Sequence, residues 1–218
     1  MIYIIRHGET DANAKGLIQG RSNFALNANG IRLAEITGKA MKGIHFEKAY
    51  SSPLDRAHQT AELVLKESGN EEVPILIDER IIEVNFGNWE QKSFRNIAEG
   101  NEEMSAELVA EFFENPRHMS RFPKGESIDE LCERTQEFLK ELAADPENWD
   151  KNILVATHGT ALRAMLNFLY EDPEDFWHGH VPYNCAVNIV AADQDGCHLL
   201  EDDKTYYDRS DCVDWYAK

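Results

Sequence analysis

Positive charge is scarce in this chain. Against 40 aspartates and glutamates stand only 22 lysines and arginines, a formal net charge of −18. Long-range attraction to nucleic acid or to an anionic membrane is therefore not expected. Cysteine is sparse as well: Cys132, Cys185, Cys197 and Cys212 lie far apart without a Cys-x-x-Cys pair, so neither a zinc site nor a dithiol redox centre is indicated. Long apolar runs are missing. Nowhere do 18 apolar residues follow one another, and Arg6 interrupts the amino-terminal run after five residues with no small-residue cleavage site behind it. No membrane span or secretory leader is expected, and the compartment this implies is the cytoplasm. Internal repeats, low-complexity tracts and Pro/Gly-rich linkers are absent too, so 218 residues are expected to form one domain over 1–218.

The chain does contain short apolar runs separated by helical patterns. Strands are expected at Ile2 to Arg6, Lys48 to Ser51, Ile75 to Ile77 and Ile153 to Thr157, with a hairpin from Ala186 to Ala191 and Cys197 to Glu201 turning through Gln194-Asp195-Gly196. Met1 to Ile5 and Ile153 to Ala156 are apolar without alternation, as suits strands buried on both faces of a parallel sheet. Between them, Ile31, Ala34, Gly38 and Met41 share one helical face, as do Leu54, Ala57, Ala61 and Leu65. Ser127-x-x-Glu130 forms a capping box before the stripe Ile128, Leu131, Thr135, Phe138 and Leu142. The fold class is α/β, a three-layer αβα sandwich around a mainly parallel sheet with an edge hairpin. Between Trp89 and Lys124 the pattern loosens, with Met104, Leu108, Phe112 and Phe113 suggesting a helix that has no strand partner, and the stretch is expected to form a small cap subregion at 89–124. Glu201 to Lys218 reads as a surface tail, packed across the sheet's edge.

Two histidines stand in matched places, His7 in Arg6-His7-Gly8-Glu9 after the first strand and His158 in Thr157-His158-Gly159 after the fourth. Open α/β sheets bind ligands just outside the carboxyl ends of their strands, so both belong to one site, with Gly8 and Gly159 permitting close backbone approach. The fixed fork of Arg6 matches the oxygens of an anion. In Ser51-Ser52-Pro53-Leu54-Asp55-Arg56, Ser52 is expected to cap a helix with Pro53 in its first turn, which places Arg56 beside free N–H groups that favour an anion. An acidic protein that binds an anion must build such a local positive pocket.

Arg6-His7-Gly8-Glu9-Thr10, the run from Ser51 through Ala61, Glu83 before Phe86-Gly87-x-Trp89-Glu90, Gly125-Glu126-Ser127 and Thr157-His158-Gly159 together resemble the histidine phosphatase superfamily over nearly the whole chain. One departure is Gln91, where the family commonly has glycine. The resemblance implies a phosphoglycerate mutase-like fold and a covalent phosphohistidine mechanism. His7 is then the nucleophile, Arg6, Arg56 and His158 stabilise charge on the phosphoryl oxygens, and Glu83 is the general acid. Asn13, Gln19 and Gly20 match positions framing the open side of the phosphate, with Gly159 beside it; Ser22 is a further candidate, and Pro182-Tyr183-Asn184 resembles a late substrate-lining loop. No cofactor and no metal are implied, and His178-x-His180 lacks partners at ligand spacing.

The expected partner is a small-molecule phosphate ester, with no nucleic acid and no membrane, on a monomer or homodimer. Mutases of the family carry a basic insertion after the Trp-Glu pair, whereas Gln91 to Met104 holds only Lys92 and Arg95 against Glu99, Glu102 and Glu103. That favours a phosphomonoester hydrolase over the alternative of a cofactor-dependent phosphoglycerate mutase. A non-catalytic phospholigand-binding protein is disfavoured because every position expected to do chemistry holds a competent residue. Phe112, Phe113, Phe122 and Trp89 are candidates for an apolar wall against the organic part of the ester, with core packing the commoner use of such residues.

Overall fold

The computed structural model describes residues 1–95, 97, 102–119 and 121–212. Six strands form one sheet in the order β3-β2-β4-β1-β5-β6. Strands β1 (Ile2–Arg6), β2 (Lys48–Ser51), β3 (Ile75–Ile77) and β4 (Ile153–Thr157) are parallel, while β5 (Val187–Asp193) runs antiparallel to β1, and β6 (Gly196–Lys204) antiparallel to β5. Side chains alternate across a pleated sheet, so each central apolar run serves two cores. Ile2, Ile4, Ile153 and Val155 pack with α5 (Ile128–Ala144) and α6 (Gly159–Leu166) on one face. Ile5, Leu154 and Ala156 pack with α2 (Ala28–Ala40) and α3 (Asp55–Ser68) on the other, beyond the single turn α1 (Asp11–Ala14). This is the three-layer αβα arrangement in one domain.

The expected strand limits hold at β1 to β4, and the hairpin is longer than its apolar stretches. β6 continues through Lys204, taking in residues expected to be tail. The reason is hydrogen bonding rather than hydropathy: the Asp203 N–H donates to Asn188 Oδ1 at 2.9 Å, and its carboxylate accepts from the Tyr183 N–H at 3.1 Å. An acidic residue only 2% exposed is thus satisfied inside the sheet edge. Tyr207 then packs against the α2/α3 core, and residues 213–218 of the expected tail lie outside the described residues.

Helix α2 differs from its expected face. Ile31 is 41% exposed, and the buried stripe is Gly30, Leu33, Ala34, Thr37 and Gly38, displaced toward Gly30. Two glycines demand this: a Cβ on Gly8 would stand 2.7 Å from the Gly30 carbonyl oxygen, and one on Gly30 would stand 2.1 Å from that of Glu9. Contact between the first turn of α2 and the loop after β1 therefore sets the helix rotation. The capping box of α5 forms as expected, with Ser127 and Glu130 exchanging side-chain and backbone bonds, and its whole predicted stripe is buried.

The remaining helix, α4 (Ala106–Glu114), belongs to the stretch between Trp89 and Lys124. It joins a third core at the carboxyl end of the sheet, where the Phe112 ring meets Phe86, Phe122 and Trp177 edge-on at 5.6, 5.8 and 5.3 Å. The Trp177 indole N–H donates to the Phe112 carbonyl at 2.8 Å, tying α4 to the 176–184 loop. Glu99 lies outside the described residues.

Gln91 stands at φ +60°, the left-handed region, where a side chain is strained. Its N–H donates to the Ile18 carbonyl at 2.8 Å, which holds the turn in place. Gln91→Gly keeps that bond and is expected to stabilise the fold by about 1 kcal/mol, raising Tm by roughly 2–4 °C. A Tm that stays level or falls would mean that the 3.3 Å contact from the Gln91 amide to Ser22 Oγ outweighs the strain.

Candidate active site

Three adjacent parallel strands deliver the predicted groups to one place. Arg6 pairs with Thr157 and Ser51 with Ala156, so the residues that follow, His7, His158 and Ser52, emerge side by side at the carboxyl edge. The rings of His7 and His158 lie 5.2 Å apart between centroids, tilted by 58°. Both are at most 3% exposed.

His7 Nδ1 lies 2.7 Å from the Gly8 carbonyl oxygen. A carbonyl only accepts, so Nδ1 carries the proton and the lone pair belongs to Nε2. Burial, then the charges of Arg56 and Arg6, hold His7 well below the ordinary imidazole range, so at neutral pH the ring is uncharged. His158 is held well below that range by burial and by the charge of Arg56. Its Nε2 lies 2.7 Å from Ser52 Oγ, and its Nδ1 is buried without a partner.

That bond corrects the expected helix start. Ser52 does not cap α3, which begins at Asp55 after Leu54 with no side-chain cap, and Pro53 precedes the first turn. The Ser52 hydroxyl accepts from the Leu54 N–H at 3.4 Å, ahead of the helix, and engages the imidazole of His158, a role the sequence signalled only through its place in the Ser-Ser-Pro run.

Arg56 does lie in the first turn of α3 and is fully buried. Its Nη1 donates to the Ser22 carbonyl and its Nη2 to the Gly20 carbonyl, each at 2.8 Å, while Nε has no partner. Burial lowers its pKa to about 10, which leaves it a cation at neutral pH. Arg6 donates through Nη1 to the Pro182 carbonyl. Gly159 leaves room for it: a Cβ there would stand 3.3 Å from Arg6 Nε.

Glu83 takes an unexpected second part. His158 occupies the N-cap position of α6 without a side-chain cap, and Glu83 supplies the missing acceptors. Its Oε2 accepts from the Thr160 N–H at 3.1 Å, and its Oε1 accepts from those of Ala161 and Val84 at 2.9 Å each. Burial pushes its pKa up, with these three N–H groups pulling the other way. Arg134 escaped the sequence reading. From the middle of α5 it donates to the carbonyls of Arg80, Ile82 and Glu83 and pairs with Glu126 at 2.6 Å, clamping the segment that carries Glu83. Only an arginine on an otherwise solvated helix face would have hinted at it.

A cavity of about 60 Å³ opens against Arg6, His7, Asn13, Gln19, Glu83 and Gly159. Thr10 occupies the carboxamide oxygens of both Asn13 and Gln19. Arg56 and His158 stand behind the lining beside His7, and Gly20 is turned away, its N–H donating to Glu90 at 3.1 Å. The distal wall is apolar, built from Phe86, Phe113 and Trp177 among others. Phe112 and Trp89 belong to it, whereas Phe122 is core. In the late loop the Asn184 amide donates to the His7 carbonyl at 2.9 Å, and the neighbouring His180 pairs with Asp203. His178 stacks on Tyr170 at 3.5 Å.

Two strand-end histidines, two buried arginines and a helix-capping glutamate on this sheet define a class, and the pattern of the histidine phosphatase superfamily, branch 1, matches residues 2–203. The chain belongs to that family. Among its relatives, a broad-specificity phosphatase of Saccharomyces cerevisiae is 32% identical over 87% of this chain and 78% of its own length. A 2,3-bisphosphoglycerate-dependent phosphoglycerate mutase of Cytophaga hutchinsonii is 32% identical over 82% of this chain and 81% of its own. The solved structure of Bacillus stearothermophilus YhfR superposes with a TM-score of 0.82 at 27% identity, covering 94% of this chain and 96% of that one. Among the described residues no helix is long and apolar enough to cross a membrane.

Proposed function

We propose that this protein hydrolyses small phosphate monoesters with an apolar organic part, through a phosphohistidine on His7. The observation that carries this reading is the buried His7 ring with its Nδ1 held on the Gly8 carbonyl, lining a cavity that also holds Arg6 and Glu83. His7 Nε2 attacks phosphorus as the ester P–O bond breaks, and the Gly8 carbonyl steadies the positive ring that forms. Arg6, Arg56 and His158 bear on the phosphoryl oxygens, with Asn13 and Gln19 at the open side. Glu83 gives its proton to the leaving oxygen, which departs as the alcohol. Its carboxylate then takes a proton from water, whose oxygen attacks the phosphohistidine and breaks the N–P bond, releasing phosphate. Val109, Phe112 and Phe113 of α4, which line the cavity, cap it and keep bulk water from this exchange.

Hydrolysis is favoured over the mutase reaction by the cavity wall. Among the described residues Arg6 is the one lysine or arginine that lines it, and Lys92 and Arg95 do not. A wall of Phe86, Phe113 and Trp177 offers a second anionic group no counter-charge, so an intermediate with a carboxylate and a further phosphate is poorly retained. Supplied with 3-phosphoglycerate, the enzyme is expected to release inorganic phosphate at least as fast as it forms the 2-isomer. Its kcat/KM for an aryl or branched alkyl phosphate should exceed that for 3-phosphoglycerate by 10-fold or more. Isomer formation outrunning phosphate release would restore the mutase reading that relatives such as the Cytophaga enzyme support.

A further inference from the structure

We propose that Glu90 is a positioning residue that sets the phosphate-binding geometry of Arg56 through the 20–22 loop. The inference rests on the reading of Arg56 as a phosphate ligand. Both terminal nitrogens of Arg56 are held by carbonyls of this loop, Gly20 and Ser22. The peptide groups of the same loop are in turn aimed at one carboxylate. Glu90 Oε1 accepts from the Arg21 N–H at 2.8 Å, and Oε2 accepts from those of Gly20 and Ser22 at 3.1 and 3.2 Å and from the Ser22 hydroxyl. Three successive N–H groups converging on an anion form a nest, and a planar peptide whose N–H is fixed has its carbonyl direction constrained as well.

The packing leaves the loop no substitute arrangement. A Cβ on Gly20 would stand 2.2 Å from both Glu90 Oε1 and the Val84 carbonyl oxygen, so the backbone is pressed onto the carboxylate. Arg56, fully buried, has no solvent to replace the two carbonyls if they turn away. The charges of Glu83 and Glu90 also oppose the effect of burial on its guanidinium. Glu90 does not line the cavity, so it reaches the chemistry through Arg56, by way of the loop that holds the guanidinium and of its own charge. A neutral glutamine at 90 would present one acceptor and one donor to three N–H donors, which splays the loop.

The test is a double-mutant cycle read on p-nitrophenyl phosphate turnover and on inhibition by inorganic phosphate, with Tm recorded for each protein. Glu90→Gln should lower kcat/KM on the order of 10- to 100-fold and weaken phosphate inhibition by a similar factor, because small misplacement of a charge clamp has costs of that size. Glu90→Asp, which keeps the charge with a shorter reach, should recover part of both. In an Arg56→Ala background, Glu90→Gln and Glu90→Asp should each change kcat/KM by less than about 3-fold. Undiminished losses in that background, alongside a normal Arg56→Ala defect, would overturn the positioning role alone, as would Glu90→Gln lowering Tm without touching phosphate inhibition. Full activity of Arg56→Ala by itself would instead overturn the phosphate-ligand reading of Arg56, and this proposal with it.

Discussion

His7→Ala is expected to abolish turnover, by a factor on the order of 10⁵ or more, because no other group can take over covalent transfer. The expectation follows from geometry as much as from residue type. With Nδ1–H on the Gly8 carbonyl and the ring kept neutral by burial and two arginines, Nε2 is the nitrogen able to attack. Rapid quenching of wild type with a labelled ester should trap acid-labile phosphate on that nitrogen, and the variant should carry none. Label found on His158 would reassign the nucleophile, and a substantial residual rate would remove covalent catalysis from the scheme. His158 is buried against Ser52 behind the cavity lining. His158→Ala should therefore slow phosphohistidine formation while leaving label on His7.

Glu83→Gln is expected to lower kcat/KM, which reports the first transfer, by 10²- to 10⁴-fold for alkyl phosphates and far less for p-nitrophenyl phosphate, since p-nitrophenolate departs without a proton. Glutamine retains one acceptor for the N–H groups at the start of α6, so the helix keeps part of its cap and the comparison remains one of chemistry. The sign of the pH dependence is fixed by the two shifts. His7 must be neutral, so kcat/KM rises with pH through a value well below the ordinary histidine range. Glu83 must be protonated for the first step, so the rate on alkyl esters falls as pH climbs through its raised value. The variant should lose the falling limb and keep the rising one. A loss of kcat on both esters with kcat/KM unchanged would make Glu83 a group for the dephosphorylation step alone, and the acid would then be sought at Glu9 or Glu126, the latter already paired with Arg134.

Local pattern carried a good deal of this. The capping box at Ser127, the αβα layering and the placing of His7 and His158 at strand ends follow from hydrophobic period and turn chemistry. Where local pattern failed, a distant partner intervened. Ser52 has the residue type of a helix cap, yet His158, 106 positions away, holds its hydroxyl. Ile31 fits an apolar stripe, yet the Gly8–Gly30 contact rotates α2 away from it. Asp203 reads as part of a tail lying across the sheet's edge, yet bonds with Asn188 and Tyr183 make it a residue of β6.

By itself the sequence determined which groups are available and at which strand and helix ends they emerge, because period-2 and period-3.6 burial are properties of neighbouring residues. Tertiary structure alone decided what those groups are tied to: the tautomer of His7, the capping of α6 by Glu83 from 77 positions away, the grip of Arg134 on the 80–83 segment and that of Glu90 on the loop that holds Arg56. Those are hydrogen bonds between segments remote in the chain. Their energy depends on distance and desolvation, which only the folded chain defines.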